Sequence, residues 1–140
     1  METNKLVITE NCKKDLLITA KWSRIYAIIS IFSIAILLVV GIVLLVSSFF
    51  IDNQQIGLDK EMLAPAGVMY ILLGLMLIIP TMYLLQFGKN AKKAVAEDEL
   101  ELMELAINRM KSYWKFMGVF TIVAIVTTLS MVVVGFFLIA

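Results

Sequence analysis

Three stretches of this chain carry no Asp, Glu, Lys or Arg: residues 25–51, 62–88 and 116–140. Each exceeds the roughly 20 apolar residues that cross a hydrocarbon core about 30 Å thick. At about 1.5 Å per residue they would reach about 40 Å, so the helices are expected to tilt or to protrude into the headgroups. A water-soluble domain could bury one such helix. Three leave too little polar chain to cover them, because only 16% of the residues are charged, against about a quarter in a typical soluble domain. The expected fold class is all-α: a polytopic membrane protein with three transmembrane helices plus amphipathic cytoplasmic helical segments, organised as one domain. The first run is longer than the roughly 7–15-residue apolar core of a signal peptide, no convincing cleavage site follows it, and a polar segment precedes it. It is expected to stay attached.

The cations are unevenly placed. Lys5, Lys13, Lys14, Lys21 and Arg24 precede the first run; Lys89, Lys92, Lys93, Arg109, Lys111 and Lys115 lie between the second and third. Between the first and second there is only Lys60. By the positive-inside rule, residues 1–24 and 89–115 are cytoplasmic, and residues 52–61 and the C-terminus are external. Arg24, Lys89 and Lys115 flank the spans on the inner side, and Trp22 and Trp114 join them as interfacial anchors.

The chain contains no histidine, the usual general base and metal ligand. Its one cysteine, Cys12, cannot close an intrachain disulfide or build a Cys/His zinc site. A net charge of +1 argues against nucleic acid as a partner. No span holds an ionisable side chain of the kind that ion-coupled transporters, proton relays and voltage sensors place in the bilayer. The acidic groups Glu97, Asp98, Glu99, Glu101 and Glu104, and Asp52, Asp59 and Glu61, read as solvated faces or helix starts. No catalytic, cofactor or metal site is expected, and the chain is not expected to be an enzyme.

Within the second run, Pro80 removes the hydrogen bond to the Met76 carbonyl, so a kink is expected there, with Thr81 or a neighbouring helix covering the free oxygen. Scattered Ser, Thr and Gln side chains in the spans are expected to bond between helices. Thr121, Ala124, Thr128 and Gly135 form a small-residue stripe on the third run, and Gly67 and Gly74 are seven apart on the second. Small residues allow close helix approach, so these faces are expected to pair.

Residues 89–115 lack Gly and Pro and are rich in helix formers. Ala96, Leu100, Met103, Ile107, Met110, Trp114 and Met117 follow a heptad-like spacing, so a helix is expected from about Asp98 through the third span. It either covers its own bundle or meets the membrane surface or a partner. About ten residues would link it to the second span. Toward the N-terminus, Thr9 or Asn11 could cap an interfacial helix leading into the first span. Glu10 and Asp15 among its lysines argue against a dedicated lipid-binding patch.

Ala20-Lys21-Trp22 opens the first span; Tyr70 is followed by Pro80 and by Leu84-Leu85-Gln86-Phe87; Lys111-Ser112-Tyr113-Trp114-Lys115-Phe116-Met117-Gly118 opens the third. From about Leu16 onward, this set resembles an uncharacterised family of small three-span membrane proteins from Gram-negative bacteria, a domain of unknown function. The resemblance implies a bacterial cytoplasmic (inner) membrane location and supplies no activity. The expected function is structural or regulatory, through helix–helix self-association or a larger membrane-protein partner, with membrane lipids as surroundings. An oligomeric pore or transporter-like protein is the alternative.

Overall fold

A computed structural model describes residues 8–50 and 60–139. It is all-helical, with three helices in chain order: α1 (Glu10–Phe50), α2 (Lys60–Glu97) and α3 (Leu100–Ile139). Each is long and apolar enough to cross a membrane. α1 and α2 pack along their length; α2 and α3 pack over a shorter contact.

Thr9 caps α1: its hydroxyl accepts the Cys12 N–H at 3.4 Å, and its carbonyl accepts the Lys13 N–H at 3.0 Å. From there α1 runs unbroken to Phe50, so the expected interfacial segment and first span are one helix.

The contact between α1 and α2 follows a seven-residue repeat of mostly small residues. On α1, Ala20, Ala27, Ile34, Gly41 and Ser48 are buried, each seven residues from the next. On α2, Gly67, Gly74, Thr81 and Gly88 repeat the same spacing and are buried too. A Cβ on Gly88 would meet the Ala20 carbonyl at 3.0 Å, and a Cβ on Gly67 would meet the Gly41 carbonyl at 2.8 Å. These two contacts lie three heptads apart on both helices, so the antiparallel register holds without slippage. A seven-residue repeat keeps one face on the partner, and small side chains let the backbones close in.

The expected linker after residue 88 is absent. Residues 89–97 continue α2, as their helix-forming composition and lack of Gly and Pro favour. Only Asp98 and Glu99 separate α2 from α3. Asp98 adopts φ 51°, the left-handed conformation that ends many helices. The Glu99 N–H then reaches back to the Ala94 carbonyl at 3.2 Å, closing a Schellman-type cap. The Glu99 carbonyl accepts the Met103 N–H and starts α3.

The inward face of α3 differs from the expected stripe. Met103, Met110 and Met117 do turn inward, but Leu100, Ile107 and Trp114 are exposed. Their places are taken by Ala106, which is fully buried, and by Tyr113 and Phe120. Both stripes obey the same spacing. The small Ala106 permits the closest approach to α2, and the large amphipathic Trp114 is left on the outside. The first turns of α3 thus fold back onto α2, and Phe87 fills the space among Ala20 of α1, Ala91 of α2 and Ala106 of α3, flanked by Leu16 and Met110.

Candidate functional site

Three regions outside the packed core carry polar groups or unpartnered surface: a cleft at Pro80, the far half of α3, and the end of the bundle where all three helices meet, here termed the joined end.

Pro80 and Thr81 lie buried inside α2 without interrupting it. The Thr81 hydroxyl donates to its own-helix Leu77 carbonyl at 2.8 Å, not to the Met76 carbonyl that the proline leaves without an N–H. Beside them is a cavity of about 190 Å³ where the three helices meet. Tyr26, Ser30 and Ser33 from α1, Thr81 from α2 and Tyr113 from α3 line it with hydroxyls. No carboxylate, amine or guanidinium lines it. It can hold a small hydrogen-bonding group.

The cleft marks where α3 leaves α2. Beyond Phe120, from residue 121 to 138, every residue of α3 is exposed except Gly135, which is half-buried. The expected pairing of small-residue faces is therefore not made. Gly67 and Gly74 lie against α1, the first on Gly41 and Leu45 and the second on Leu37 and Leu38. Thr121, Ala124 and Thr128 are exposed, and nothing lies within 4 Å of a Cβ built on Gly135. The physical reason is competition for one face. The glycines of α2 fall on the stripe that matches the buried seven-residue repeat of α1, which runs from Ala20 to Ser48. Spacing alone, read on α1, carried that signal in Ala20, Ala27, Gly41 and Ser48.

The expected interhelical hydrogen bonds are also rearranged. The hydroxyls of Thr121, Thr127, Thr128 and Ser130 each donate to the carbonyl four residues earlier in α3. In a helix without a polar neighbour this is the nearest acceptor. Gln86 Oε1 and Arg109 Nε are buried on α2 and α3 without a protein partner.

At the joined end, Trp22, Arg24, Lys89, Trp114 and Lys115 are all exposed. The acidic residues Glu97, Asp98, Glu99, Glu101 and Glu104 are exposed as well. Asp98 is tied to α1 by an ion pair, with Lys13 Nζ 2.8 Å from Oδ1. The hydrogen bond from Lys13 and its charge hold the Asp98 carboxyl below the ordinary aspartate range. The same contact raises Lys13 above the ordinary lysine value. Glu61 is exposed at the opposite end, and Asp52 and Asp59 lie outside the described residues. Among the described residues no group of three or more Cys, Asp or Glu side chains is placed to hold a metal ion.

No curated protein and no solved structure matches the chain. A family of unknown function does match, over residues 62–136, from the first turns of α2 to the far end of α3. That span covers more than half of the sequence and includes the glycine stripe of α2, the joint at Asp98 and the open half of α3; the chain belongs to the family of unknown function DUF5362.

Proposed function

We propose that this protein crosses a membrane three times and acts by lateral association, docking a second copy or a larger membrane protein on the open half of α3. The membrane reading is supported by apolar surface that the bundle leaves uncovered. The most hydrophobic window of α3 has none of its residues buried, and those of α1 and α2 have 11% each. In water such exposure would drive aggregation; in lipid it costs nothing. The cation-rich segments converge at the joined end, which supports an orientation with that end and the N-terminus in the cytoplasm and the C-terminus outside. The bacterial cytoplasmic membrane is the compartment that the sequence resemblance implies.

The observation that carries the association reading is α3 itself. Past Phe120 it keeps a face of Thr121, Ala124, Thr128 and Gly135, small residues of the kind that bring α1 and α2 together, but with no helix of its own chain against it. A role without catalysis fits the exposed carboxylates of the joined end and the Pro80 cleft, whose polar side chains all carry hydroxyls among apolar neighbours.

Two experiments test this. Cys12 is the single cysteine and is exposed, so a membrane-impermeant maleimide should label it only after the membrane is permeabilised. A Cys12→Ser/Asp59→Cys chain should be labelled in intact cells; the reverse pattern defeats the orientation. In the Cys12→Ser background, Thr128→Cys should cross-link between neighbouring chains or to a partner, and Ser130→Cys, on the opposite face, should not. Equal or absent cross-linking at both positions defeats the association reading.

A further inference from the structure

At the joined end, on the outer side of the α1–α2 contact, lies a notch of about 500 Å³. Three cations face it: Lys21 and Arg24 from α1 and Lys92 from α2. No carboxylate lines it. Among the described residues the ion pairs are those of Lys13 with Glu10 and Asp98, so none engages these three cations. Glu10 and Asp15, the acids that argued from sequence against a lipid site, do not line the notch.

Gly88 shapes it. A Cβ on Gly88 would fall 2.7 Å from Arg24 Cγ. The missing side chain leaves room for the Arg24 stem against α2. The rest of the wall is apolar. Ile25 and Ile28 follow Arg24 along α1, away from the joined end. At about 1.5 Å per residue, Ile28 lies roughly 6 Å beyond Arg24 along the axis. All three cations of the notch thus lie toward the joined end, with Leu17 beside them, and past Arg24 its α1 wall is purely apolar toward the middle of the bundle.

We infer that this notch binds an anionic phospholipid, with the headgroup phosphate held by Lys21, Arg24 and Lys92 and an acyl chain laid along Ile25 and Ile28. The inference rests on the membrane-spanning reading above, which sets the joined end at the cytoplasmic headgroup level. Three like charges around one space repel each other, and a single anion relieves all of them. The volume lies within the roughly 300–1,000 Å³ typical of ligand pockets. Basic pockets between membrane helices on the cytoplasmic side are recognised lipid sites. A zwitterionic lipid offers the same phosphate with a compensating amine, so net charge should decide the preference.

The test uses the full-length protein in mild detergent with equal amounts of phosphatidylglycerol and phosphatidylcholine, counting bound lipid by native mass spectrometry. Wild type should retain phosphatidylglycerol preferentially. Each cation is worth about fivefold in affinity for an anionic headgroup. Lys21→Gln/Lys92→Gln should therefore weaken phosphatidylglycerol retention about 25-fold. Lys93→Gln/Lys111→Gln removes as much charge outside the notch and should leave the preference in place. If the double variant fails to fold, Lys92→Gln alone should show the fivefold step. Equal retention of the two lipids by wild type, or the same loss in both double variants, overturns the proposal. So does displacement of the lipid by millimolar inorganic phosphate, which would make this a site for the free anion. Alkaline carbonate extraction separates the two readings. If wild type and variants all stay in the membrane pellet, the lipid result bears on the notch alone. If wild type leaves the pellet, both readings fall.

Discussion

Gly67 and Gly41 meet backbone to backbone: a Cβ on Gly67 would lie 2.8 Å from the Gly41 carbonyl oxygen and 2.9 Å from the Leu45 nitrogen. Neither obstacle is a flexible side chain, so a larger residue must push the helices apart. Gly67→Val is expected to destabilise the bundle by about 3 kcal/mol, the upper range of overpacking effects. Gly135→Val, at a position with open space around it, is expected to change monomer stability by less than about 0.5 kcal/mol. Unfolding titrations in mixed micelles measure both.

Phe87 is the large side chain of the core cluster, 3% exposed and set among alanines from all three helices. The alanines cannot expand to refill its place. Phe87→Ala is expected to cost about 3–5 kcal/mol. It should loosen the first turns of α3 before the far contacts of α1 with α2, and hydrogen exchange at Met103 and Ala106 reports that order.

Lys13 and Asp98 give the joint a defined pH window. The carboxyl of Asp98 is depressed, so its contribution is present above the ordinary aspartate value of about 3.9 and is lost as pH falls through the lower folded value. The ammonium of Lys13 is raised, so its contribution is complete below about 10.4 and is lost as pH rises through the higher folded value. The pair is exposed, so the effect is small and weakens with salt. Lys13→Met should flatten both limbs of the pH profile. Asp98→Gly removes the pair but suits the left-handed backbone better. At acid pH, where the pair is already gone, it should be more stable than wild type.

Ala124→Leu separates packing within the chain from packing between chains. Ala124 is exposed, so the monomer should unfold within about 0.5 kcal/mol of wild type. Under the proposed association through α3, chain-to-chain energy transfer between labelled copies in vesicles should fall. A destabilised monomer with intact association would reverse that assignment.

Much of the architecture is legible along the chain. Three uncharged runs and seven-residue spacings of small side chains follow from local chemistry; residues 89–97 are also helix formers, but a linker was expected there and α2 instead continues through them. The joint was harder to read. An aspartate in the left-handed conformation carries no glycine to announce it, and its partner Lys13 is far away in sequence. The Pro80 cleft and the cationic notch were also hidden, because each is assembled from different helices.

Hydrophobicity and helix propensity act within one segment, so the sequence by itself determined three long apolar helices and the clustering of cations near one set of their ends. The choice of partner is a contest between faces. Gly67 and Gly74 offered a close approach to either neighbour, and α1 took both, with Gly41 against Gly67 and Leu38 filling the space at Gly74. Only the tertiary structure decided that, and with it the splaying of α3 beyond Phe120 and the convergence of Lys21, Arg24 and Lys92 on one notch. Periodicity records which face of a helix can be approached closely; the packing of the whole chain selects which helix arrives.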